Sequence, residues 1–249
     1  TKVVTIFPAN GARGLASVQG TYLLMDGATG VPLAALDGAR LTVWRTAAAS
    51  ALAARRLARP DAARLVMVGA GALAPFLIRA HMAARPITHV QLWNHRPQKA
   101  VAMAATLAAE GLLVEPVNDL EAAVREADIV SCATLSTTPV VRGAWLKPGA
   151  HLDCVGAYRP TMRESDDEAV RRASLFCDTR AGALKEGGDL AIPLAEGTIT
   201  PDDVRADLYD LAAGRHAGRS AAGEITLFKS VGTAIEDLAA AILVWNRVR

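Results

Sequence analysis

The chemistry legible in this chain starts at Gly69-Ala70-Gly71-Ala72-Leu73-Ala74, a G-x-G-x-x-A pattern. It lies between a short β-rich run, Arg64 to Val68, and a stretch of helical composition, Ala72 to Ala84. In that context the first glycine permits a tight turn and the second lets the backbone approach a pyrophosphate. The small third position allows close helix–strand packing. The helix N-terminus then offers free N–H groups and the positive end of its dipole to the phosphates. The pattern predicts dinucleotide binding by Gly69, Gly71, Ala72, Leu73 and Ala74; the alternative is an ordinary tight βα turn. The end of the next strand selects the cofactor. NAD sites place an Asp or Glu there for the ribose 2′-hydroxyl. This chain has Asn94-His95-Arg96 instead. No carboxylate repels a 2′-phosphate, and Arg96 can pair with one. The expected cofactor is therefore NADPH, with NADH as the alternative. Outside that role Arg96 is a solvated surface arginine.

A second group of charges points to a substrate. On a helix starting at Leu41, positions Leu41, Arg45, Ala48 and Leu52 share one face, and most neighbours are alanine. A guanidinium in apolar surroundings needs an anion. A ligand carboxylate held by two N–H groups suits it, and an internal salt bridge suits it equally. Lys2 belongs to the alternating run Lys2-Val3-Val4-Thr5-Ile6-Phe7 and by itself reads as a surface lysine. Glu186 and Asp189 lie on either side of Gly187-Gly188, after the last expected sheet strand. They can face a cationic group at the ligand-binding end of the sheet, or stand as solvated loop carboxylates. Residues 163–168 and Arg171-Arg172 look like a solvated helix face. Cys132, Cys154 and Cys177 sit in β-like runs and read as small buried hydrophobes in a reducing cytoplasm. The five histidines show no paired ligand spacing, so no metal is expected.

These residues need a frame, and the middle of the chain supplies one. Strand signals at 64–68, 90–93, 112–117, 129–132, 151–155 and 175–177 alternate with helical stretches at 72–84, 97–109 and 120–127. That alternation predicts a parallel sheet with crossover helices. The ends differ: strands at 2–7 and 20–25, a turn at 26–30, a helix from Leu41 to Ala58 closed by Pro60, and another from Ser230 to Trp245. The expected architecture is α/β. A Rossmann-type dinucleotide-binding domain, residues 61–214, is inserted in a discontinuous α+β domain made of residues 1–60 and 215–249. With 249 residues, 51% of them hydrophobic, the chain can bury a large core and is not a disordered segment. A net charge of +2 and 4% aromatic residues argue against a nucleic-acid binder. The longest uncharged stretch, Leu65 to Ile78, is too short and too rich in glycine and proline to span a membrane. The first residues lack a signal-peptide pattern, so a cytoplasmic location is expected.

Taken together the motifs resemble the ornithine cyclodeaminase/mu-crystallin family. The matching segments are Lys2 to Thr5, Thr29 to Ala34, Leu41 to Ala48, the glycine loop, Ala183 to Asp189, and Glu224 to Gly232, in the family's order. The resemblance implies a Rossmann domain with a substrate and dimerisation domain, hence a homodimer. It also implies that Lys2 and Arg45 hold a substrate carboxylate. The expected catalytic set is Lys2, Arg45, Glu186 and Asp189, with one of the two acids stabilising a protonated imine. Cofactor contacts are expected to include Thr134, Ser136, Val155 and Ser230 as well. Family members are usually longer at the N-terminus, so the substrate domain is expected to be incomplete there. True cyclodeaminases carry an aspartate in a Gly-Gly-Asp-x-Pro-Gly-Lys pattern; here Tyr158 stands at that place, in Val155-Gly156-Ala157-Tyr158-Arg159-Pro160. A tyrosine is a poor general base at neutral pH. The pattern from Arg159 to Glu164 is similar to the ketimine reductases of the family. The implied reaction is NADPH-dependent reduction of a cyclic ketimine carboxylate, such as Δ1-pyrroline-2-carboxylate or Δ1-piperideine-2-carboxylate. The alternatives are ornithine cyclodeamination, alanine dehydrogenase-like oxidation, or non-catalytic binding of a small molecule with NADPH.

Overall fold

The computed structural model describes residues 1–16 and 18–248. The chain divides into two compact units, Thr1–Thr46 with Thr233–Arg249, and Ala47–Gly232. The first begins with β1 (Lys2–Ile6), β2 (Val18–Met25) and β3 (Pro32–Asp37), an antiparallel sheet in that order. The turn expected at 26–30 joins β2 to β3. Asp26 closes it by accepting the backbone N–H of Ala28 and Thr29 and the Thr29 hydroxyl, at 3.0, 2.8 and 2.7 Å. Helix α1 (Gly38–Leu57) follows at once.

The second unit holds β4 (Arg64–Val68), α2 (Ala74–Ala84), β5 (His89–Trp93), α3 (Pro97–Ala109), β6 (Glu115–Val117), α4 (Leu120–Glu126), β7 (Ile129–Cys132) and β8 (His151–Cys154). It continues through α5 (Asp167–Arg172), β9 (Ser174–Cys177), α6 (Arg180–Glu186), α7 (Gly188–Ala195), β10 (Val204–Asp207), α8 (Leu208–Ala212) and β11 (Thr226–Lys229). Its eight strands pair in parallel in the order β10-β9-β11-β8-β7-β4-β5-β6. Strands β7, β8, β9 and β11 are buried along their whole length, as a parallel sheet covered on both faces requires. The strand order reverses at β4: β5 and β6 extend the sheet to one side, β7 and β8 to the other. That reversal is where parallel α/β sheets open a ligand crevice at their carboxyl ends. Helix α9 (Ala234–Val248) belongs to the first unit, where Tyr22, Leu24, Leu41 and Ala241 form a small core.

The sequence reading places the domain borders at 60/61 and 214/215. The seams between the compact units fall elsewhere, within α1 after Thr46 and just before α9. Strands β3, β10 and β11 and the helices α6 to α8 were not among the expected elements. Each is short, and β11 ends in a lysine that breaks any apolar run. Two strands therefore follow the one expected to be last, and β11 inserts between β8 and β9. Among the described residues no helix is long and apolar enough to cross a membrane.

Candidate active site

The glycine loop occupies the turn from β4 to α2, at the reversal point. Gly69 has φ +110°, and a Cβ there would lie 2.6 Å from the Ala133 carbonyl oxygen. Only glycine fits this turn. Gly71 is different: its backbone is unstrained and a Cβ would meet nothing within 4 Å. Among the described residues nothing crowds position 71, so the backbone there is open to the close approach that a pyrophosphate needs. Ala74, fully buried, is the small residue that lets α2 pack on the sheet. Helix α2 has no side-chain cap and carries Pro75 in its first turn, so its N-terminal dipole faces the loop without a protein anion. These features fit a dinucleotide.

Asn94, at the end of β5, is nearly buried. Its side-chain oxygen accepts the Ala70 N–H at 3.2 Å and its amide donates to the Arg96 carbonyl at 3.0 Å. It therefore braces the glycine loop and the turn that follows β5. His95 and Arg96 are exposed, and Arg96 makes no ion pair among the described residues. Thr134 and Ser136 follow β7, Val155 follows β8, and Ser230 follows β11. The parallel sheet thus brings all the expected cofactor contacts to one edge. Ser136 donates to the Thr138 carbonyl at 2.6 Å, and the Val155 and Ser230 amides donate to the Cys132 and Cys154 carbonyls at 2.9 and 3.1 Å.

In the first unit Lys2 and Arg45 come together, from β1 and α1. Lys2 Nζ lies 2.9 Å and Arg45 Nε 3.1 Å from the same oxygen, Oδ1 of Asp237, and Arg45 Nη1 lies 2.9 Å from Glu236. Both acids sit in the first turn of α9. The apolar setting expected for Arg45 is corrected here. Ala48 and Leu52, on its face of α1, are exposed, and the buried face carries Ala47, Ala54 and Leu57. Arg45 is half-buried in an ionic setting, with an internal salt bridge. Arg45 Nη2 and two of the three Lys2 N–H groups make no hydrogen bond among the described residues.

Asp189 and Glu186 part company. Glu186 ends α6 and is exposed. Asp189 has no exposed surface. Its Oδ1 accepts from the Glu164 and Ser165 amides and the Ser165 hydroxyl at 2.9, 2.9 and 3.0 Å, and its Oδ2 lies 3.1 Å from Lys229 Nζ. It is an internal organiser rather than a group facing a ligand. The solvated face expected at 163–168 is also corrected: Arg163, Glu164 and Ser165 are buried. Arg163 is satisfied by the Ser165 carbonyl at 2.6 Å and by Asp167. Glu164 and Lys229 are fully buried charged residues that the sequence reading did not place among the candidate site residues. The signals available were a lysine ending a four-residue β run inside the family-like segment 224–232, and, for Glu164, its place at the end of the reductase-like pattern 159–164. The Cys154 sulfur and one carboxylate oxygen each of Glu164 and Asp189 lie within 4.8 Å of one another, with the Lys229 ammonium supplying positive charge beside Asp189. The three cysteines are free and buried at the ends of β7, β8 and β9. Tyr158 is half-buried, with the Arg159 guanidinium 5.6 Å from its ring centroid.

The profile of the Ornithine cyclodeaminase/mu-crystallin family matches residues 1–249. The chain belongs to this family. It is 44% identical over 238 residues to a Δ1-pyrroline-2-carboxylate reductase of Paracoccus denitrificans, covering 95% of this chain and 75% of that protein. Among solved structures, the Δ1-pyrroline-2-carboxylate reductase of Thermococcus litoralis, in complex with NADH and L-proline, superposes with a TM-score of 0.94 at 38% identity, over 99% of this chain and 76% of that one. An archaeal alanine dehydrogenase dimer with bound NAD gives a TM-score of 0.92 at 32% identity, over 98% and 76%. The family-level expectations of an α/β fold and a Rossmann-type sheet therefore hold.

Proposed function

We propose that this protein reduces a cyclic ketimine carboxylate, Δ1-pyrroline-2-carboxylate or Δ1-piperideine-2-carboxylate, to the cyclic amino acid with NADPH. The observation that carries the reading is the closure of Lys2 and Arg45 on a single carboxylate oxygen. Two cations from separate elements have the placement to hold a carboxylate, and both keep donors to spare for a substrate's. The names of the similar reductases support the substrate class. Tyr158, where the cyclodeaminase pattern has a carboxylate, favours reduction over deamination. A dinucleotide held at the glycine loop would supply hydride to the imine carbon, the C=N bond pair passing to nitrogen with uptake of a proton. The chain's own part is to orient: Gly69 and Gly71 shape the pyrophosphate turn, α2 directs its dipole at it, Asn94 braces the turn, and Arg96 meets the 2′-phosphate. Fixing the carboxylate supplies orientation, which lowers the entropic barrier to reaction.

A homodimer and a cytoplasmic location belong to the same reading. The dimeric alanine dehydrogenase relative supports the first; light scattering on the purified protein tests it. The reaction is tested with both imines and with ornithine, each against NADPH and NADH. Stoichiometric NADPH oxidation with a cyclic imine is the expected result. Ammonia release from ornithine without net cofactor change overturns it in favour of cyclodeamination. Dinucleotide binding without turnover of any substrate leaves only a binding protein.

A further inference from the structure

Glu164 lies in the segment between β8 and α5, with no exposed surface. Its Oε1 accepts the Thr134 N–H at 2.6 Å and the Thr134 hydroxyl at 2.9 Å; its Oε2 accepts the Gly156 N–H at 2.7 Å and the Ala157 N–H at 3.3 Å. One side chain thus ties the segment after β7 to the segment after β8, at the carboxyl edge of the sheet. The first of these abuts the glycine loop: a Cβ on Gly69 would lie 2.6 Å from the Ala133 carbonyl and 3.3 Å from Thr134 Cγ2. Thr134 is half-exposed there, between the loop and the buried acid.

All four donors call for a charged acceptor, and the charge has little cover. The groups facing it are Asp189 from α7, Lys229 from β11, Cys132 from β7 and Cys154 from β8. Lys229 is the cation of the group, and Asp189 already pairs with it at 3.1 Å. The Cys154 thiol is held well above its usual range by its hydrogen bond to Cys132 and by burial, so it stays neutral. Burial, and then Asp189, push the Glu164 carboxyl up to about 7 against the pull of Lys229 and the Thr134 hydrogen bonds. A protonated Glu164 carries a hydrogen on one oxygen, which becomes a weaker acceptor for the amide groups facing it.

We propose that Glu164 is a positioning residue for the dinucleotide: in its charged form it ties the Thr134 segment, against which Gly69 of the glycine loop packs, to the Gly156–Ala157 segment, and tight binding requires that form. The inference rests on the nucleotide site read above and goes beyond it by naming a buried residue that touches no ligand. Glu164→Gln mimics the protonated acid, since its NH2 must face either Thr134 or Gly156 and Ala157. Dissociation constants of NADPH and NADH are measured by fluorescence from pH 5.5 to 9, for wild type and E164Q. Circular dichroism confirms the fold. NADH lacks a 2′-phosphate, so its pH profile is free of that group's titration.

The expected result is that E164Q weakens both dinucleotides alike, by about tenfold, the scale of one lost hydrogen bond to a charged group. Wild-type affinity for NADH falls as pH drops through about 7, and E164Q lacks that inflection. Thr134→Val, which keeps the amide bond and loses the hydroxyl one, weakens binding by a smaller factor, and Thr134→Ser restores it. Folded E164Q with wild-type affinity and pH profile overturns the inference. Should E164Q not fold, T134V binding like wild type overturns it, and loss in T134V with recovery in T134S supports it. Wild type that binds neither dinucleotide overturns the nucleotide site itself, and this inference with it, a failure distinct from the others.

Discussion

Two cations, Lys2 and Arg45, meet on one carboxylate oxygen, Oδ1 of Asp237. Lys2 and Arg45 lie 43 residues apart in sequence, and Asp237 sits almost 200 beyond Arg45. The sequence left open whether Arg45 served a ligand or an internal bridge. The structure shows the internal bridge, with donors left over for a ligand, so the two readings are compatible. Arg96 presents the opposite case. It is exposed, at the turn after β5, and makes no ion pair among the described residues. Reversing its charge tests whether it reads a 2′-phosphate. Arg96→Asp is expected to weaken NADPH at least about tenfold, the loss of a charge-assisted hydrogen bond. NADH is expected to hold or gain, as the new carboxylate meets the ribose hydroxyl. Equal weakening of both, measured as dissociation constants, would assign Arg96 to the protein's own surface.

At the scale of elements, the glycine loop separates what folding needs from what binding needs. Gly69→Ala places a Cβ against the Ala133 carbonyl at φ +110°, a strained combination that costs about 1–3 kcal/mol for the backbone alone. A Cβ at position 71 meets open space, and Gly71→Val extends from it. Its unfolding free energy is expected to stay within about 0.5 kcal/mol of wild type, the range of ordinary surface changes, while dinucleotide binding is lost. A G71V protein that binds normally would remove the loop from the nucleotide site. This loop was legible because glycine placement, strand and helix signals agreed within twelve residues. The strands 64–68, 89–93 and 129–132 were legible for the same reason, as compact apolar runs. Strand β11 was not, because its worth lies in Lys229, a charge whose partner Asp189 comes 40 residues earlier. Glu164 was misread likewise: among Arg163, Ser165 and Asp166 it has the composition of a wet surface. Its four donors, on Thr134, Gly156 and Ala157, exist only once three segments have folded together. Local pattern carries an element's type; buried polar partnership is a property of the assembled sheet.

The whole molecule carries these buried groups into its pH stability, and two of them act in opposite directions. His151 is fully buried on β8; its Nδ1 meets the Thr226 hydroxyl at 2.9 Å while Nε2 has no partner. Burial, assisted by His81 and opposed by Asp153, lowers its pKa from 6.5 to about 3. The unfolded chain binds that proton first, so the contribution of His151 is complete above pH 6.5 and is lost as pH falls towards 3. The slope is about 1.4 kcal/mol per pH unit. Glu164 runs the other way, raised from 4.5 to about 7. Here the folded chain binds the proton first, so the contribution is complete below pH 4.5 and is lost as pH rises through 7. Between pH 4.5 and 6.5 the two slopes cancel, and these two groups together leave stability flat. Each substitution should uncover the other slope. In His151→Asn, which keeps a donor for Thr226 and does not titrate, stability should decline with rising pH across that window. In Glu164→Gln it should climb. Urea unfolding at half-unit steps from pH 4 to 7.5, with each variant compared to wild type, measures both. Parallel curves for H151N and wild type would show that His151 is not the proton acceptor in acid unfolding. Because E164Q also loses dinucleotide affinity, its stability curve must be taken without cofactor, so that ligand binding does not add its own pH dependence to the difference.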